Sequence, residues 1–133
     1  MDRAAFVAAA RRTIGTPFRH QGRLPGVGLD CAGLVVCALR AVGVDVPDVA
    51  GYGRLPRHNL FLGQVEANCT RIPHADVADG DLLMFRWTNE PQHVAIYSGG
   101  NIIHAYQAAR AVVEHGLDDL WRARLMGTYR INA

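Results

Sequence analysis

The run Gly28-Leu29-Asp30-Cys31-Ala32-Gly33-Leu34-Val35-Val36 constrains this 133-residue chain more than any other stretch. A glycine-bearing segment passes into an Asp, a Cys and then an apolar run, which predicts a loop, a helix N-cap at Asp30 and a helix starting at Cys31. A thiol in the first turn of a helix lies near unpaired backbone N–H groups and the positive end of the helix dipole. Both favour the thiolate, so Cys31 is a candidate nucleophile. The competing use of such a residue is as a small buried hydrophobe at a helix start.

The length fits one domain over residues 1–133, large enough to bury about two thirds of its unfolded surface without staples. Half the residues are hydrophobic and a fifth charged, the balance of a globular chain. A net charge of +2 with no Lys/Arg run points away from nucleic acid and membrane surfaces as partners. Three cysteines make a disulfide framework an unlikely design and suit folding in a reducing compartment. The start, Met1-Asp2-Arg3 and an apolar run broken by Arg11-Arg12, lacks the pattern of an export signal. The longest apolar stretch, Cys31 to Leu39, is too short to span a bilayer. The expectation is synthesis in the cytoplasm with no membrane span.

Residues 2–12 carry Phe6, Val7 and Ala10 at helical spacing, and Thr13-Ile14-Gly15-Thr16-Pro17 stops that helix. A polar loop with Arg19, His20, Gln21 and Arg23 leads into Cys31, whose helix should end near Val42-Gly43. Residues 44–56 read as loop, 59–66 as a short helix and 69–81 as a turn-rich connector. Beyond it the period changes to short apolar runs at 82–85, 93–97, 101–105 and 111–114, as expected of consecutive strands, with Ser98-Gly99-Gly100-Asn101 a hairpin turn. One helical turn at 117–121 and a last strand at 125–131 complete the chain. Helices followed by an antiparallel sheet argue for an α+β fold.

Nucleophilic cysteine chemistry needs a base beside sulfur and a third polar group that fixes the base's tautomer. The hairpin turn at Gly99-Gly100 makes the strands of His93 and His104 antiparallel neighbours, and counting outward sets the two roughly opposite one another. Cys31, His93 and His104 thus form a candidate line. His20, His58, His74 and His115 read as ordinary histidines, although His20 could line a cleft. Cys37, six positions after Cys31, faces elsewhere on the helix, and Cys69 has no evident partner. A Cys31/His93/His104 zinc site is the rival reading, but paired ligand spacings such as C-x-x-C are absent. No metal and no cofactor is expected.

Five ordered blocks now carry a resemblance: Gly15-Thr16-Pro17-Phe18, Gly28 to Val35, Gly80-Asp81-Leu82-Leu83-Met84-Phe85, His93-Val94-Ala95-Ile96-Tyr97 and Ile103-His104-Ala105. In order and spacing they resemble the NlpC-type papain-like cell-wall cysteine peptidases. Arg19-His20-Gln21-Gly22 and Trp121-Arg122-Ala123-Arg124-Leu125 look like the branch found in phage tails and gene transfer agents. The resemblance implies a papain-like thiol endopeptidase that cuts peptidoglycan stem peptides, commonly between D-γ-glutamate and a diamino acid. Cys31 would be its nucleophile, His93 its base and His104 the orienting residue, with Phe18, Arg19, His20, Gln21 and Asp30 at the substrate. The family usually has a Tyr where Phe18 stands, a hydroxyl thought to help at the oxyanion site; without it, the Cys31 backbone N–H and His20 or Gln21 become the candidate donors. Arg19, Arg23 and Arg54 are candidate contacts for substrate carboxylates. The implied partners are peptidoglycan peptide and phage-like tail proteins, the tail delivering the enzyme to the wall. Two rival functions use the same residues: a tail-tip component without useful catalysis, and a thiol amidase or acyltransferase acting on another substrate.

Overall fold

A computed structural model describes residues 1–45, 60–87 and 90–133. Helix α1 spans Arg3–Arg11, capped by the Asp2 carboxylate, which accepts from the Ala5 N–H. Two short strands, β1 (Arg23–Leu24) and β2 (Gly28–Leu29), pair antiparallel and deliver the chain to helix α2, Cys31–Ala41. This small ribbon has no hydrophobic alternation to announce it. At the end of α2, Gly43 takes a left-handed conformation (φ 79°), the C-terminal stop expected from sequence.

Helix α3 (Leu60–Asn68) runs directly into strand β3 (Cys69–Ile72), so the segment expected to be a connector begins with a strand. A 3-10 turn follows at His74–Asp76. Then come β4 (Leu82–Trp87), β5 (Glu90–Ser98), β6 (Asn101–Tyr106), β7 (Ala111–Gly116), the short helix α4 (Asp119–Arg122) and β8 (Leu125–Ile131). Six of these strands make one antiparallel sheet in the order β3-β8-β4-β5-β6-β7. The architecture is the expected α+β one. The expected loop at 44–56 lies almost wholly outside the described residues.

Both faces of the sheet are covered, which is why its strands read as continuous apolar runs rather than alternating ones. On one face Phe6 and Ala10 of α1 and Leu34 and Ala38 of α2 pack against Met84, Val94, Ile96 and Ile103. On the other, Leu83, Phe85, Ala95 and Ile102 pack against Leu117 and Trp121. Each such Leu, Ile or Phe contributes roughly 1.5–3 kcal/mol by burial. A buried carboxylate ties the layers together: Asp81 accepts from Arg3 of α1 at 2.8 Å and from Arg130 of β8 at 2.9 Å. Burial alone would raise its pKa, but the hydrogen bonds from Arg130, the Ala78 N–H and Arg3 prevail and hold it below the usual carboxylate value.

The β5–β6 hairpin positions the site. Gly99 and Gly100 both have positive φ, as a two-residue turn between twisted strands requires. From that turn the pairing runs Ser98↔Asn101, Tyr97↔Ile102 and Ile96↔Ile103, and stops. Beyond this point β5 stays paired with β4 as far as Glu90, and β6 with β7 as far as Tyr106. The two strands therefore part company, and the opening between them lies toward the N-terminus of α2.

Candidate active site

Asp30 sets the angle at which Cys31 enters. It caps α2 through the Gly33 N–H at 2.8 Å, and it also accepts from Arg23 at 2.9 Å and from the Gln21 N–H at 2.8 Å. The carboxylate is buried, and its two oxygens are engaged by the scaffold. Asp30 is therefore a support of the loop and helix, and its expected place at the substrate is corrected on that ground. The same holds for Arg23, whose guanidinium is held by Asp30 and the Gly22 carbonyl rather than presented to a ligand. Gly22 and Gly33 lie so close that a Cβ on Gly33 would collide with the Gly22 carbonyl oxygen. The loop before Cys31 is thus clamped to the first turn of the helix.

Cys31 is half-buried against the helix-side core. Its sulfur accepts from the backbone N–H groups of Val94 and Ala32. The Val94 contact is a product of the split hairpin, because it puts the helix N-terminus directly beside β5, one residue from His93. The expectation that this position favours thiolate holds only in part. The two N–H groups do lower the pKa, but burial, followed by the charge of Asp30, pushes the thiol up to about 12. None of the three cysteines is in a disulfide. Cys37 points its sulfur at the Arg23 carbonyl, 3.1 Å away, and Cys69 is pushed up to about 11 by burial and Asp81.

His93 and His104 come together as expected, with His93 Nε2 2.6 Å from His104 Nδ1. The register is different from the simple count. Continued past Ile96↔Ile103, it sets His104 beside Ala95, so His93 is a diagonal neighbour two residues along the same face. Both imidazoles are buried, His104 completely. Burial lowers His93 to about 3 and His104 to about 2, with the neighbouring imidazoles acting in the same direction. Trp121 causes much of that burial. Its ring lies 5.8 Å from His93 and 4.9 Å from His104, and Phe85 and Tyr106 complete an aromatic wall.

A third histidine belongs to this line, one that its sequence context gave no reason to single out. His115 Nε2 is 2.8 Å from His104 Nε2. His115 lies opposite Ile102 across β6 and β7, and so on the face that His104 shares. The length of the turn at 107–110 decides that register, and the sequence alone does not fix it.

The remaining expected residues line an open cleft of about 760 Å³ bounded by Phe18, Arg19, His20, Gln107 and Arg110. One wall comes from the loop before Cys31 and the other from the turn that follows the strand of His104. Phe18 is fixed there by its backbone, donating to the Arg110 carbonyl, while its side chain packs partly on the core. Gln21 is not among the lining residues; it takes a positive φ of 59° and gives its N–H to Asp30. Arg54 lies outside the described residues. Among the described residues there is no cluster of three or more His, Cys, Asp or Glu side chains that could hold a metal.

A thiol at a helix N-terminus beside a histidine pair is the arrangement against which comparison with known proteins is decisive. Residues 15–130 match the model of the NlpC/P60 family. The chain belongs to the NlpC/P60 family. It is 33% identical over 115 residues to a probable endopeptidase of Corynebacterium glutamicum, covering 86% of this chain and 47% of that protein. It is 31% identical over 108 residues to a probable endopeptidase of Mycobacterium tuberculosis, covering 78% of this chain and 23% of that one. The chain thus spans about half, or less, of the length of these NlpC/P60 relatives. The crystal structure of the NlpC/p60 domain of the peptidoglycan hydrolase SagA superposes with a TM-score of 0.71 at 29% identity, covering the whole of both chains.

Proposed function

We propose that this chain is a cysteine endopeptidase that hydrolyses amide bonds in peptidoglycan stem peptides, with residues 1–133 forming one catalytic domain. The observation that carries the reading is the line of groups at the split hairpin: a thiol held by the Val94 N–H, and His93 bonded to His104 at 2.6 Å. The names of the relatives, probable endopeptidases and a peptidoglycan hydrolase, supply the class of substrate.

With the thiol raised and the imidazoles lowered, the resting site holds a neutral Cys31 and a neutral His93. Attack is then coupled to proton transfer. As sulfur bonds to the amide carbon, its proton passes to His93, and the carbonyl oxygen becomes an oxyanion near the Cys31 backbone N–H, one of the first-turn groups of α2 that has no intrahelical partner. His93 next gives that proton to the leaving amine, and the C–N bond breaks to leave a thioester on Cys31. Water, deprotonated by His93, hydrolyses the thioester and restores the thiol. His104 holds the His93 ring through both halves. Arg19, His20 and Arg110 surround the cleft walled by the loop that leads to Cys31, with donors suited to the carboxylates of a stem peptide, whose favoured cut would be between D-γ-glutamate and a diamino acid. Phe18 supplies an apolar wall there in place of a hydroxyl donor.

The delivery proposal is attachment to a phage-like tail. It is supported by the likeness of Arg19-His20-Gln21-Gly22 and Trp121 to Leu125 to the tail-associated branch; Arg19 and His20 of the first segment line the cleft, and Trp121 of the second packs on His104. Incubating purified peptidoglycan with wild type and with Cys31→Ala, and identifying released fragments by mass spectrometry, tests the reading. Fragments ending at the γ-glutamyl residue with wild type alone support it. An intact wall, or equal release by Cys31→Ala, counts against it.

A further inference from the structure

The orientation of the histidine line is set at its far end. His115 Nδ1 lies 2.9 Å from the Gly116 carbonyl oxygen, and a carbonyl can only accept. His115 therefore carries its proton on Nδ1, and in its neutral form Nε2 is an acceptor. That nitrogen faces His104 Nε2 at 2.8 Å, so His104 must donate from Nε2 and is left with a bare Nδ1. The bare Nδ1 faces His93 Nε2 at 2.6 Å, so His93 in turn donates from Nε2. The single nitrogen left without a proton on His93 is Nδ1, the one able to receive a proton from a thiol. Each link is forced by the one before it, and a backbone carbonyl starts the chain.

We infer that His115 is a positioning residue: anchored by the Gly116 carbonyl, it fixes the tautomers of His104 and then of His93, and so makes His93 Nδ1 the base. The inference rests on the proposed role of His93. Aromatic rings wall the line: Trp121 stands at 4.9 Å from the His104 ring and 5.7 Å from that of His115, and Tyr106 stacks on His104 at 5.2 Å. When His93 takes the thiol proton it keeps its Nε2–H directed at His104, so its positive charge forms at the head of two aligned ring dipoles, those of His104 and His115.

The test is the tautomer of each ring in the full chain labelled with 15N-histidine, read by long-range 1H–15N correlation at neutral pH and assigned by single histidine substitutions. The expected spectrum has the proton on Nε2 for His93 and His104 and on Nδ1 for His115. A proton on His104 Nδ1 overturns the inference. In His115→Phe, which keeps a ring but no acceptor, His104 should populate both tautomers and kcat should fall roughly tenfold with KM unchanged, the shift that one hydrogen bond of ordinary strength brings about. His115→Gln, whose amide oxygen can accept, should restore most of both. Unchanged tautomers and kcat in His115→Phe would overturn the inference as well. Should that variant fail to fold, the wild-type spectrum still decides. The expected spectrum in a protein whose hydrolysis is insensitive to Cys31→Ala would uphold the tautomer chain and refute the proposed chemistry, so the two failures are distinguishable.

Discussion

The two ends of the β5–β6 hairpin behave in opposite ways. At the closed end, two glycines with positive φ turn the chain, the Gly99 N–H donates to Asp79, and three residue pairs close the ladder. At the open end the ladder stops, and the Val94 N–H is used by Cys31 instead of a strand. The closed end converts backbone hydrogen bonds into stability. The open end gives them up and gains a place where a helix N-terminus meets two histidines. Neighbouring sheet protects the exposed edges, because β4 and β7 remain paired on either side. A site can thus be opened in the middle of a sheet without leaving its backbone unsupported.

Changes at the two ends should accordingly separate activity from stability. The largest effect is expected at the open end: His93→Ala should reduce hydrolysis of a stem-peptide substrate by about 10²–10⁴, the usual contribution of a general base. Its thermal midpoint should fall too, because the buried ring leaves a cavity and an unpaired His104 Nδ1, so the loss of hydrolysis is read per folded molecule. His104→Ala should be less damaging, since the base remains. Equal loss in the two would mean that they act as a unit.

Acid should act on the same end first. The folded-state pKa values of His93 and His104 lie below the ordinary histidine value of 6.5, so the fold excludes their protonated forms. Stability is then complete above pH 6.5 and falls as pH drops from there toward about 3, by at most about 1.4 kcal/mol per pH unit for each histidine. Asp81, also lowered, loses its contribution only on entering the carboxylate range. Thermal midpoints measured from pH 8 to 5 should decline, and the double substitution His93→Gln/His104→Gln should flatten the decline. A slope that survives that substitution would place the sensitivity elsewhere.

The smallest effect belongs to the closed end. Gly100→Ala forces a Cβ into φ 87° and should cost about 1–2 kcal/mol. The thermal midpoint should fall by several degrees while kcat per folded molecule is unchanged. A comparable loss of kcat would show that the two ends are coupled.

The elements were legible where local chemistry decides them. The Asp30 cap, the start of α2 at Cys31 and the Gly99-Gly100 turn follow from residue types that have few alternatives. The meeting of His93 with His104 followed from the turn, although as a diagonal pair. What sequence could not show is what depends on distance along the chain. The split of the hairpin is imposed by α2 packing into it, and nothing in residues 93–95 or 104–106 marks the end of pairing. Arg23 reads as available for substrate because nothing in the sequence pairs it with Asp30, seven residues on, which reads as a helix cap and a substrate contact. His115 was hidden by a turn of uncertain length. The favoured thiolate was inferred from the helix end alone, whereas burial beside Asp30 outweighs it.

The central claim is that Cys31, at the open end, forms the covalent intermediate. Wild-type protein mixed with a γ-D-glutamyl–diamino acid stem peptide and quenched in acid should show, by intact mass, a gain equal to the acyl half of the substrate, and proteolytic mapping should place it on Cys31. The adduct should be absent from Cys31→Ala, which should also release no product. An acyl group mapped to Cys37 or Cys69, or substrate turnover that continues in Cys31→Ala, would contradict the account.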